Sequence, residues 1–277
     1  MQLVLISGLS GSGKSVVLNV LEDAGYYCID NLPANLLSQT MIFLEASGYD
    51  KVGITVDARS GDSFLALPEL VEQLRLHVDL RLIFLESKTE TLVRRFSETR
   101  RRHPLSSDER SLREAIVLER ELLSEIAQIG HRIDTSDLSA NALRGWVKDL
   151  ISLQSSRLTL LITSFGFKHG IPLDADLVFD VRCLPNPHYD PVLRPQTGRD
   201  ADVIAFLEGV PEVAEMLADI QAYVTKWLPC YIGDNRAYLT VAIGCTGGQH
   251  RSVYFAEHLA AHFATLEQTL VRHRELR

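Results

Sequence analysis

The chain has no long apolar run. Segments such as LTLLI (158–162) and YLTVAI (238–243) fall far short of the roughly 18 residues a bilayer-spanning helix needs. They are expected to be buried strands, and no membrane association is expected. The opening MQLVLIS has neither a basic leader nor a small-residue cleavage site, and it runs straight into a glycine loop, so no secretion signal is expected. Cysteine is scarce: Cys28, Cys183, Cys230 and Cys245 lie far apart with no CxxC pair. That pattern excludes a zinc site or a disulfide framework and fits a reducing cytoplasm. Basic charge is in deficit too, with a formal net charge of −8, which excludes bulk electrostatic coating of nucleic acid and leaves only local basic patches. There is no low-complexity tract, no internal repeat and no guanine-selecting NKxD motif.

What remains is a folded globular composition, 46% apolar and 23% charged, over 277 residues, a length that suits two domains. Short apolar runs alternate with helical periodicity: LVLIS (3–7), YYCI (26–29), VGITV (52–56), LRLIFL (80–85) and HRID (131–134). This is the pattern of a parallel sheet wrapped by helices. A first helix carries Val16, Val17, Val20, Leu21 and Ala24 toward Gly25. A longer helix is expected after Ser107 or Asp108 as N-cap, with Leu112, Ile116, Leu123 and Ile126 inward and Gly130 at its end. The polar stretch SLQSSR (152–157) sets a boundary between residues 1–153, an α/β domain, and residues 154–277, a second, smaller α/β domain. In the latter, the proline-rich CLPNPHYDPVLRPQTG (183–198) can be neither regular helix nor central strand.

The chemistry begins at GLSGSGKS. Gly8, Leu9, Ser10, Gly11, Ser12, Gly13, Lys14 and Ser15 follow a strand and open a helix, the context of a nucleotide phosphate loop. Its glycines let backbone N–H groups converge on phosphate oxygens, Lys14 brings a point charge, Ser15 a ligand for Mg2+, and the helix N-terminus its dipole. ATP or GTP is therefore expected, and without a base-reading motif neither ranks first. Asp57, ending VGITVD, is the candidate acid for Mg2+, with Ala58, Arg59 and Ser60 beside it. DARS reads equally well as a helix cap with a solvated arginine. Asp30 after YYCI is either a nucleoside or acceptor contact or a turn former. The run RRFSETRRRHPL (94–105) reads either as a lid that swings Arg95, Arg100, Arg101 or Arg102 over the phosphates, as in small-molecule kinases, or as a solvated basic loop able to meet RNA.

The device recurs at AYLTVAIGCTGGQHRS (237–252), a strand, a glycine loop and a helix whose Val253, Ala256, Leu259 and Phe263 share one face. Thr246, Gly247, Gly248, His250 and Arg251 either hold a phosphate or carboxylate or simply shape a turn, and His188 in the proline-rich loop is either a further contact or a surface histidine. Cys245 and Arg251 also fit Cys-x5-Arg followed by serine, the spacing of cysteine-dependent phosphatases, although Gly244 stands where those enzymes usually have histidine. Arg272, Arg274 and Arg277 make the tail basic, either as an RNA contact or as the solvated, frayed end of a helix.

With these loops in hand, the chain resembles the RNase adapter protein RapZ family of bacterial P-loop proteins. GLSGSGKS (8–15), IDNLP (29–33), SETRRRHPL (97–105), SFGFKHGIP (164–172), NPHYDP (186–191) and CTGGQHRS (245–252) carry that resemblance, in order and over nearly the whole chain. It implies a kinase-like first domain with nucleotide sites at 8–15 and 57–60, weak ATPase and GTPase activity, a second domain sensing a phosphorylated amino sugar, and a homo-oligomer. It further implies binding of small regulatory RNA and its presentation to an endoribonuclease, which controls glucosamine-6-phosphate synthesis, although this tail is less densely basic than that of the enteric members. A P-loop small-molecule kinase is the alternative, with a Cys-x5-Arg phosphatase behind it.

Overall fold

The computed structural model describes residues 1–56, 66–107, 110–152, 158–233, 236 and 238–276. The chain divides into two compact units, Met1–Ser155 and Ser156–Arg277. In the first unit, the helices between strands supply the crossover connections that parallel pairing needs. The order is β1 (Gln2–Gly8), α1 (Lys14–Asp23), β2 (Tyr27–Ile29), α2 (Leu37–Ala46), β3 (Lys51–Thr55), α3 (Leu67–Arg75), β4 (Asp79–Glu86), α4 (Thr89–Thr99), α5 (Leu112–Leu122), α6 (Ser124–Ile129), β5 (His131–Asp134) and α7 (Ala140–Ser152).

These strands form one parallel sheet in the order β2-β3-β1-β4-β5. Leu5 stands opposite Ile54 of β3 and Leu82 of β4. Helices cover both faces, which is why Leu3 to Ile6 are all apolar and fully buried rather than alternating with polar residues. The chain fills β2 and β3 on one side of β1 and only later β4 and β5 on the other. The carboxyl end of β1 thus lies at the reversal of strand order, where open α/β sheets form ligand crevices. The architecture is a five-stranded parallel α/β sheet with a glycine loop at the carboxyl end of its central strand.

Two helical expectations need correction. The N-cap of α5 is neither Ser107 nor Asp108: Ser107 pairs with Arg110 in an isolated bridge, and Asp108 lies outside the described residues. Ser111 caps the helix through a reciprocal capping box, its hydroxyl accepting the Glu114 N–H while the Glu114 carboxylate accepts the Ser111 N–H. The helix also breaks at Leu123 into α5 and α6, with Gly130 as C-cap of the second. The arginine run is not all loop either. Its first half is the end of α4, where Phe96 faces the core, and Arg100 closes that helix in the left-handed region at φ 52°.

The second unit contains β6 (Thr159–Gly166), β7 (Leu177–Asp180), α8 (Ala201–Glu208), α9 (Pro211–Gly233), β8 (Tyr238–Cys245), α10 (Arg251–Phe263) and β9 (Gln268–His273). Its parallel sheet runs β7-β8-β6-β9. The segment 183–198 forms only a short 3-10 turn, Pro187–Tyr189, as its prolines require. The expected face of α10 is buried at Val253, Ala256, Leu259 and Phe263. The frayed-helix reading of the tail is wrong: residues 268–273 are an edge strand paired along β6, from Gln268 opposite Thr159 to His273 opposite Ser164.

Candidate nucleotide and anion sites

The carbonyls of the loop after β1 are taken up by side chains around it. Lys14 Nζ donates to the carbonyls of Gly8 (2.7 Å) and Leu9 (3.3 Å). Arg95 of α4 donates to the Gly11 carbonyl (3.1 Å), and Thr135, just past β5, donates to that of Ser12 (2.9 Å). A trans peptide points its N–H opposite its C=O, so tying down the Ser12 carbonyl turns the Gly13 N–H toward the cleft, at the head of α1. Gly8 is required by close approach, since a Cβ there would lie 2.2 Å from the Leu85 carbonyl of β4. The cleft has a volume of about 720 Å3 and is lined by Ser10, Gly11, Gly13, Lys14 and Ser15 on one side. Arg95, Phe96, Arg101 and Arg102 line the other. Backbone donors, Lys14 and these arginines outnumber Glu98, the acid that also lines the cleft, and favour an anion there.

Of the four arginines expected in a lid, Arg95 is fixed rather than swinging: besides Gly11 it donates to the hydroxyl (3.1 Å) and carbonyl (2.6 Å) of Thr135. Arg101 and Arg102 are exposed at the cleft, and Arg100 is at the turn that ends α4. Asp57, Ala58, Arg59 and Ser60 lie outside the described residues. Ser15 is exposed on the cleft at the start of α1, where its hydroxyl suits a magnesium ion bound with phosphate. The Asp30 carboxylate accepts the Thr55 hydroxyl (2.6 Å), which ties the turn after β2 to β3.

Behind the loop stands a residue that no motif marked. Glu119 of α5 is fully buried and accepts from the Ser10 N–H (2.8 Å), the Ser10 hydroxyl (2.7 Å) and His103 Nε2 (3.1 Å). Leu105 N–H donates to His103 Nδ1, which leaves the ring proton on Nε2, facing the carboxylate. Burial pushes the Glu119 carboxyl up, but the His103 bond, the Lys14 charge and the Ser10 bonds outweigh it, so it sits below the ordinary glutamate value. His103 is also buried, so the arginine run is anchored near its end. Glu119 had a signal in the sequence: it falls between Ile116 and Leu123 on the inward stripe of α5, where an acid is out of place unless paired.

In the second unit, Gly166 of β6 and Cys245 of β8 end side by side, and the glycine loop leads into α10. Gly248 has φ 76°, and a Cβ there would lie 2.3 Å from the Glu275 side chain and 2.6 Å from the Gly166 nitrogen. Arg251 is 2% exposed. Its Nη1 is pinned by the carbonyls of Arg182 (2.9 Å) and Leu184 (2.7 Å), its Nη2 reaches the Thr246 hydroxyl (3.4 Å), and its Nε has no protein partner. The Nε–Nη2 edge is thus a donor fork of the kind that takes two oxygens of one anion. Beside it, His250 is 5% exposed with an unpartnered Nε2, and burial holds its pKa below the usual 6.5. His188 is exposed, with its ring 6.3 Å from that of His250. The Cys245 sulfur accepts the Gly248 N–H (3.2 Å) and lies 3.2 Å from the Ser252 hydroxyl. Burial raises this thiol, but those bonds and the Arg251 charge lower it further, for a net downward shift.

Both loops sit within matched family models: residues 1–155 match the RapZ-like N-terminal domain and residues 158–277 the RapZ C-terminal domain. The chain belongs to the RapZ family. Similar proteins include a nucleotide-binding protein of Thiobacillus denitrificans, 66% identical over all of both chains. Another, from Azoarcus sp., is 64% identical over 99% of this chain and 94% of its own. Among solved structures, shikimate kinase from Acinetobacter baumannii is similar at 17% identity and a TM-score of 0.37, over 55% of this chain and 93% of its own. Deoxyadenosine kinase from M. mycoides gives 12% identity and a TM-score of 0.37, over 55% and 99%.

Seen as a RapZ-family member, the chain has its two glycine loops in separate units, each with its own helix N-terminus and its own set of cations. Arg272 lies on β9, and Arg274 donates from its backbone to the Ser164 carbonyl (3.1 Å) and from its guanidinium to the Gly170 carbonyl (3.2 Å). Arg277 lies outside the described residues. No helix among the described residues is long and apolar enough to cross a membrane.

Proposed function

We propose that this protein is a nucleotide-responsive regulator with two anion sites. The first unit binds ATP or GTP with Mg2+ through residues 8–15, aided by Asp57 to Ser60, and hydrolyses it slowly. The second holds a phosphorylated amino sugar through Thr246 to Gly248, His250 and Arg251, with His188 at its edge. Membership of the RapZ family supports the wider role: binding a small RNA with the help of Arg272, Arg274 and Arg277, presenting it to an endoribonuclease, and acting as a homo-oligomer in the cytoplasm. The observation that carries the reading is the state of the two key cations. Lys14 is folded back onto the carbonyls of its own loop, within reach of a phosphate, and Arg251 is pinned on one edge with a donor fork left on the other.

The test is Lys14→Ala. Because the lysine meets the terminal phosphates where charge develops, this variant is expected to lose nucleotide binding and all hydrolysis while folding normally. Unchanged affinity and turnover would show that 8–15 is not a phosphate site. A phosphotransferase acting on a small molecule would instead show turnover that rises sharply with an acceptor. Cys245 chemistry is a second reading, favoured by the N–H and hydroxyl groups gathered on its sulfur. At 3% exposure the sulfur is more an internal acceptor of the loop than a nucleophile at its surface. Cys245→Ser is therefore expected to keep sugar-phosphate binding, and vigorous phosphatase turnover abolished by that change would reverse the order of the two readings.

A further inference from the structure

A fully buried carboxylate persists only with partners that satisfy its charge, and the hydrogen-bond partners of Glu119 belong to two different parts of the nucleotide cleft. Ser10 is in the phosphate loop itself. His103 is in the segment that carries Arg101 and Arg102, the two exposed arginines on the cleft. Phe96 closes the triangle: its ring lies 5.2 Å from the His103 ring, and a Cβ on Gly11 of the loop would stand 3.2 Å from its edge. Loop, carboxylate, imidazole and arginine segment are therefore one contiguous unit, with the charge at its centre out of reach of any ligand.

We propose that Glu119 is a positioning residue of the nucleotide site, fixing the arginine segment in register with the phosphate loop through His103. The arginines and the loop then close on a terminal phosphate as a single body. The proposal rests on the nucleotide reading of the cleft. Without the link, Arg101 and Arg102 keep their charge but are no longer held where a triphosphate ends, so what is lost is their preference for that end. A purely structural role would weaken nucleoside diphosphate and triphosphate alike.

The experiment is a double-mutant cycle on the full chain, read as the affinity ratio of a non-hydrolysable ATP analogue to ADP, with the thermal midpoint followed in parallel. In the wild type, replacing Arg101 and Arg102 together by alanine is expected to lower that ratio about tenfold, the loss of a charge-assisted contact. In a Glu119→Gln background the same pair of changes is expected to cost less than about threefold, the non-additivity of coupled groups. His103→Gln, which leaves the carboxylate with Ser10, supplies a second background should Glu119→Gln not fold. Equal losses in wild type and folded background would overturn the proposal. Nucleotide binding absent from the wild type would overturn the site reading beneath it.

Discussion

His250 shows what burial does to an imidazole. Its ring is almost out of water, so desolvation disfavours the charged form, and the backbone of Leu193, Arg194 and Gln196 offsets this only in part. With a folded pKa below the unfolded value of about 6.5, the group binds fewer protons folded than unfolded. Its share of stability is present above that value and lost as pH falls through the folded pKa. An anion bound at the Arg251 fork is expected to favour the imidazolium and so to raise that pKa. Proton NMR of the His250 ring is therefore expected to give a midpoint below 6.5 in the free protein and a higher one with glucosamine-6-phosphate. A midpoint that does not move would show that the sugar phosphate binds elsewhere. Both glycine loops were marked in the sequence because glycine spacing and a following cation are local signals. The pairing of Glu119 with Ser10 and the carbonyls that hold Arg251 were not, since those contacts span 109 and 67 to 69 residues.

At the scale of elements, the capping box at the start of α5 positions Glu119, because it fixes where the helix begins and so which residue faces Ser10. Replacing an N-cap serine by alanine costs about 1 kcal/mol. Ser111→Ala is expected to lower the stability of the first unit by about that amount in urea denaturation, and a change within error would show that the cap carries no load. Most strands were legible from their apolar runs, with HRID (131–134) matching β5 residue for residue. The start of α5 is hard to place from sequence because Ser107 and Asp108 are also good capping residues, and only the reciprocal pair Ser111 and Glu114 singles out the true cap. β9 was missed for a different reason: in QTLVRH every residue is half-buried, as expected of an edge strand, so neither a continuous apolar run nor a clear alternation marks it.

For the whole molecule, a formal charge of −8 and two anion sites are compatible because each site is local. The phosphate loop gathers Lys14, Arg95, Arg101 and Arg102, and the second loop gathers Arg251 and His250. Each draws on its own strand end, glycine turn and helix N-terminus. The central claim is therefore the independence of two chemically distinct sites, and one calorimetric comparison tests it most directly. A non-hydrolysable nucleotide and glucosamine-6-phosphate are each titrated into wild type, Lys14→Ala and Arg251→Ala, with folding checked by circular dichroism. Lys14→Ala is expected to lose the nucleotide and keep the sugar phosphate. Arg251→Ala is expected to weaken the sugar phosphate roughly ten- to hundredfold, the loss of a charge-assisted contact, and to leave the nucleotide unchanged. Sugar-phosphate affinity that survives Arg251→Ala, or that falls with Lys14→Ala, would contradict the account.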